Sequence, residues 1–239
     1  MREQQRSLSA VPQIVILLLF VSLTLQVFWH SQLPLPDVHI YELTSPPTIE
    51  QLQVFSLGDM VVTAKILMLW LQSFDNQSGQ FLSYRQLNYT ALKEWLERIL
   101  QLDPRSQYPL FTASQFYSNI SSDPAKQRQV LEFVYQQFFA DPQHRWPWLA
   151  QAAILAKHRL KDLPLALKYA QAIAEHTTPG MPLWAQEMHI FILEDMGELE
   201  QARLIIGGML ISGQITDPNE IKFLNEKLQA LEKKILKKK

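Results

Sequence analysis

From residue 48 onward, apolar residues recur three or four positions apart, and Gly, Pro and Asp interrupt them at intervals. The pattern predicts helices over 48–57, 59–74, 89–102, 108–120, 124–139, 147–159, 163–176, 182–195, 198–211 and 218–237, and no sheet. Asp59 is placed to cap the second helix and Asp123-Pro124 to open the fifth, while Asp103-Pro104 and Asp141-Pro142 read as helix ends. The polar, glycine-containing stretch 75–87 reads as a loop.

Before residue 48 the pattern changes. No formally charged residue lies between Arg6 and Asp37, and residues 11–29 form an apolar run dominated by Ile, Val, Leu and Phe. At 1.5 Å per residue this run spans about 28 Å, close to the ~30 Å hydrocarbon core of a bilayer, so it is expected to be a transmembrane anchor. Pro12 suits its first turn and Trp29 its far interface. A cleaved signal peptide competes with this reading, but signal cores are shorter, and residues 23–30 hold no small-x-small cleavage site. Arg2 and Arg6 precede the run and no Lys or Arg follows it until Lys65. The positive-inside rule then puts residues 1–10 in the cytoplasm and the remainder outside it, in the periplasm of a Gram-negative cell. Residues 30–47, rich in proline, are expected to be a semi-extended spacer, 48–217 a helical-repeat domain and 218–239 a basic capping helix.

Periodicity extends beyond single helices. Pro104 and Pro142 each follow an aspartate at the end of an apolar helix. Lys161-Asp162-Leu163-Pro164-Leu165-Ala166 has a counterpart in Gly197-Glu198-Leu199-Glu200-Gln201-Ala202, with a turn residue, an acid at a helix start and an alanine where two helices approach closely. Together with Ile99-Leu100-Gln101-Leu102-Asp103-Pro104 and Asn88-Tyr89, these stretches resemble the tetratricopeptide repeat family over roughly residues 59–213. The resemblance implies an all-α fold: an N-terminal transmembrane helix, a superhelix of about four degenerate helical hairpins, and a C-terminal capping helix. Ser56-Leu57-Gly58, Ala64, Trp70-Leu71 and Leu102-Asp103-Pro104 further resemble a pattern in bacterial single-span, envelope-associated repeat proteins.

Composition narrows the function classes. The chain is 47% hydrophobic with 22 basic and 23 acidic residues, which suits neither a disordered tail nor a nucleic-acid binder. Having no cysteine, it has no disulfide scaffold, thiolate zinc site or cysteine nucleophile. The six histidines form no HExxH or comparable pair, and there is no GxGxxG, Walker or GxSxG motif. Four acids around the turn at Glu194, Asp195, Glu198 and Glu200 are explained by helix-start charges and a solvated turn rather than by a paired-carboxylate site. Gly207-Gly208 reads as a close-packing spot. No enzyme, metal or cofactor is expected.

Binding is the function that remains. First helices of tetratricopeptide hairpins line a concave groove for peptides or partner helices, and the resemblance, aligned on Ala166 and Ala202, places Trp148, Gln151, His158, Arg159, Trp184, Glu187 and Glu194 there, with Gln115 and Asn119 from the preceding pair. The expected role is an adaptor or scaffold for another envelope or membrane protein. The alternative is a periplasmic chaperone holding unfolded clients near the translocon. Seven lysines against Glu220, Glu226 and Glu232 in the last twenty residues suit an acidic partner or anionic lipid. Ile221, Leu224, Leu228, Leu231 and Ile235 form a stripe that suits a solvated capping helix instead.

Overall fold

The computed structural model describes residues 11–32, 42–74, 76–77, 80–81, 87–120, 123–213 and 215–238. The chain divides into two compact units, 1–41 with 78–80, and 42–77 with 81–239. Residues 1–10 and most of the proline-rich spacer, 33–41, lie outside the described residues.

In the first unit, α1 (Gln13–Gln32) follows Pro12, whose carbonyl accepts the first helical hydrogen bond from Val15 at 2.9 Å. Its side chains are apolar on every face and none is buried. It is the one continuous helix among the described residues that is long and apolar enough to cross a membrane, a test that a signal sequence or a buried core helix also passes.

The second unit is built from helices. They are α2 (Ile49–Phe55), α3 (Met60–Ser73), α4 (Tyr89–Leu102), α5 (Tyr108–Thr112, a π-helical turn Ala113–Tyr117, then Ser118–Ile120), α6 (Pro124–Phe138), α7 (Pro142–His158), α8 (Leu163–Glu175), α9 (Leu183–Met196), α10 (Leu199–Ser212) and α11 (Pro218–Lys238). Two-residue strands, Asn76–Gln77 and Gln80–Phe81, lie in the loop where no strand was expected. Local chemistry sets most boundaries. Thr48 and Gln51 form a reciprocal capping box on α2, and Asp59, Asn88, Asp123, Asp141 and Asp162 each accept a backbone N–H at a helix start.

Asp141-Pro142 departs from expectation: it opens α7 instead of only ending α6. The Asp141 side chain accepts from the His144 N–H at 3.3 Å, Pro142 occupies the first turn, and Pro147 is carried inside the helix. Gly207 and Gly208 are not close-packing positions either, since a Cβ added at either would meet nothing within 4 Å.

Helices consecutive in sequence pack on one another: α7 on α8, α8 on α9 and α10 on α11, with α6 also against α4 and α7. Ala166 and Ala202 are fully buried, as the need for close crossings requires. Their stretches share a turn geometry too. Lys161 (φ 56°) and Gly197 (φ 81°) both adopt the left-handed conformation at equivalent points. The core runs from Leu43 through Phe133, Phe138, Tyr169 and Ile173 to Ile192, and a smaller cluster of Leu193, Ala202, Ile206, Leu224 and Leu231 closes the C-terminal end. Residues at the end of the expected spacer already belong to this core: Leu43 is buried, and the Thr44 carbonyl accepts from Trp95 Nε1 at 2.8 Å.

Polar contacts between hairpins recur at a nearly constant separation. Gln72 bonds Tyr108, Gln129 bonds Thr90, Trp148 bonds Gln107 and Lys168 bonds Glu132, at separations of 36, 39, 41 and 36 residues. Arg145, 3% exposed, donates to the carbonyls of Gln137 (2.6 Å) and Pro104 (2.7 Å), tying the ends of α4 and α6 together. Burial holds its pKa below the ordinary guanidinium value.

Candidate functional site

The residues assigned to a groove lie on α5, α7 and α9, which contact one another in that order. Between α5 and α7, the Trp148 ring meets Phe111 edge-on with centroids 5.5 Å apart, and its Nε1 donates to Gln107 Oε1 at 2.9 Å. Arg159 Nη1 donates to Asn119 Oδ1 at 3.0 Å, and Asn119 in turn donates to the Gln115 carbonyl at 2.6 Å. Between α7 and α9, Trp146 and Trp184 meet edge-on at 5.6 Å, and Lys157 pairs with Asp195. Trp148, Arg159 and Asn119 therefore join neighbouring hairpins through the very groups that would face a ligand. Gln115 and Gln151 are half-buried, while His158 and Trp184 are exposed.

Glu187 and Glu194 have a different environment, because α11 lies against that side of α9. Glu187 is 2% exposed, and one of its carboxylate oxygens, Oε1, has no hydrogen-bond partner. Burial, together with the nearby Glu220 carboxylate of α11, pushes its pKa up to about 7. Glu194 pairs with both Lys227 and Lys234. Burial raises its pKa, but hydrogen bonds and charge from the two lysines outweigh that and hold it below the ordinary carboxylate value. Phe191 completes the contact, stacked at a tilt on Phe223 (6.3 Å) with the Lys227 ammonium 4.8 Å from its centroid. Glu194 thus ties the terminal helix to α9, while Glu187 lies buried facing Glu220 of that helix.

Three of the four acids around the α9–α10 turn are in ion pairs, Glu200 with Arg203, Glu194 with Lys227 and Lys234, and Asp195 with Lys157, while Glu198 stands at the start of α10. No group of three or more His, Asp or Glu side chains able to hold a metal ion occurs among the described residues. His189 is buried with Nδ1 2.7 Å from the Gln186 carbonyl, and burial lowers its pKa.

Sequence reasoning missed two exposed apolar side chains, Phe116 on α5 and Ile154 on α7. Ile154 lies three residues after Gln151 and four before His158, so the three share a helical ridge. An isoleucine on an otherwise polar ridge was the available signal. The chain matches no family model, and no curated protein or solved structure matches it.

Proposed function

We propose that this protein is a membrane-anchored adaptor of the bacterial cell envelope, binding a partner protein through the surface formed by α5, α7 and α9. In this reading α1 spans the inner membrane with residues 1–10 in the cytoplasm, and the hairpins form a degenerate array of the tetratricopeptide kind on the periplasmic side. The anchor keeps the array near membrane partners and raises their effective concentration. The mechanism is recognition, with no bond made or broken.

The observation that carries the reading is the set of exposed apolar side chains on these three helices. Trp184 is 52% exposed, Phe116 48% and Ile154 40%, and Gln115, Gln151 and His158 flank them. Exposed aromatics among adaptable polar groups are the composition of protein-binding surfaces. Glu187 and Glu194 are assigned instead to the terminal cap, and the pairing of Lys227 and Lys234 with Glu194 favours a capping role for that part of α11 over a lipid contact.

The test is photo-crosslinking in intact cells of the full-length chain, with the reactive group at Gln115, Gln151 or Trp184 and adducts identified by mass spectrometry. One dominant envelope protein supports the adaptor. A broad range of secreted clients supports the chaperone alternative, and the absence of adducts at all three positions rejects this surface.

A further inference from the structure

α3 carries more apolar surface than its neighbours cover. Its buried residues, Ala64, Met68 and Leu71, follow a spacing of four and three along one side. On another side Val62, Ile66 and Leu69 repeat that spacing and are 48%, 59% and 64% exposed. The preceding turn and α2 add Val54, Phe55 and Leu57, at 76%, 74% and 95%. Leu57 is held there by a left-handed backbone (φ 50°), a conformation that disfavours a branched side chain, with Gly58 (φ 95°) after it. Exposed apolar side chains in this number on two successive helices mark an interaction site.

Two observations select its occupant. The first is the tether. Leu43 is buried in the core and the exposed Thr44 is tied to α4 by its carbonyl, which accepts from Trp95, whereas α1 ends at Gln32. From Gln32 to Glu42 the chain reaches at most about 36 Å, whatever path it takes. If α1 crosses a bilayer, the nearest apolar phase to α2 and α3 is that bilayer. The second is length. α2 and α3 together are as apolar as a span, but they bend by 105° at their junction. The longer arm, 14 residues, extends only about 21 Å, short of a ~30 Å core. A pair so bent, with one side of α3 packed in the protein core, suits the interface better than a span. Lys65, exposed on the same helix, has the reach to direct its ammonium toward headgroup phosphates while its stem stays among apolar neighbours.

We infer that the outward face of α2 and α3 inserts into the headgroup–acyl boundary of the bilayer that α1 spans, so that the domain rests on the membrane at this end. The inference rests on the anchored reading above, and its test separates the two. The cysteine-free chain accepts single labels. Full-length variants V21C, L57C, I66C, L69C and L204C, the last an exposed α10 control, are coupled to an environment-sensitive fluorophore. They are reconstituted in phosphatidylethanolamine–phosphatidylglycerol vesicles containing lipids brominated at shallow or deep acyl positions.

The expected result is deep quenching at position 21 and shallow quenching at 57, 66 and 69, several-fold stronger than at 204. Ile66→Asp should lower quenching at 69 while leaving position 21 unchanged. Quenching at 21 with positions 57, 66 and 69 no different from 204 overturns the inference and leaves the anchor standing. No quenching at 21 overturns both. Shielding at 66 without lipid quenching, accompanied by disulfide-linked dimers of I66C, assigns the face to a second copy of the chain and also overturns it.

Discussion

The two ends of the helical unit finish in opposite ways. At the C-terminal end, α11 buries Leu224 and Leu231 against the last hairpin and turns Lys222, Glu226 and Lys233 outward. At the N-terminal end, α2 and α3 bury Leu52, Ala64, Met68 and Leu71, yet turn Val62, Ile66 and Leu69 outward. An array of stacked hairpins needs a polar cover on each end to stay in water. The C-terminal end has one made of protein. The contrast lies in what each end turns outward: polar side chains predominate on α11, which also exposes Phe223 and Leu236, and apolar ones on α2 and α3.

Paired truncations make the sharpest test of this contrast. Leu231→Ala removes a fully buried side chain and should cost about 2–5 kcal/mol, whereas Ile66→Ala should change stability by less than about 0.5 kcal/mol, both read by chemical unfolding of the full chain in detergent. Comparable losses at both positions would mean that the face of α3 is packed on protein. Next in size, Ala166→Leu and Ala202→Leu should each overpack a helix crossing and cost roughly 1–3 kcal/mol. An unchanged melting temperature for either would remove the equivalence between the two stretches.

The capped end should also be sensitive to pH where the uncapped end is not. Glu187 has a folded pKa of about 7, raised from the ordinary 4.5 by burial and by Glu220. A raised carboxyl contributes its full stability below pH 4.5 and loses it as pH climbs through about 7, because the unfolded state releases the proton first. The change amounts to up to about 3 kcal/mol, and hydrogen exchange should show α11 less protected at pH 8 than at pH 5. Glu187→Gln should flatten that difference. The smallest expected effect is at the shared turn. Lys161→Gly relieves a left-handed lysine and should stabilise by roughly 0.4–1 kcal/mol, with Gly197→Lys acting in the opposite sense.

Local signals carried most of the fold. The bounds of α4 are legible because Asn88 caps one end and Asp103-Pro104 stops the other. The start of α7 was misplaced because an Asp-Pro pair both stops one helix and starts the next, and because Pro147 reads as a first-turn residue when it lies within the helix. The candidate surface was legible only in part. The expected repeat phase put residues of α5, α7 and α9 side by side, and the ring contacts of Trp148 with Phe111 and of Trp146 with Trp184 bear out that adjacency alone. That Glu194 ties down α11 and that Glu187 is buried facing it could not be read, since Glu220, Lys227 and Lys234 lie 33 to 40 residues away on a helix whose path is set by tertiary packing. The uncovered side of α3 escaped for a similar reason: periodicity shows that a helix is apolar all round without showing which side lacks a neighbour.

The π-helical turn in α5 alters the register in which that helix meets α7. Before it, Phe111 meets Trp148, 37 residues on; after it, Asn119 meets Arg159, 40 residues on. A wide turn accommodates an extra residue without breaking the helix, and so supplies part of that slippage. The two halves of α5 therefore meet α7 in different registers while remaining one unbroken rod, so that a single helix can present two faces to one neighbour.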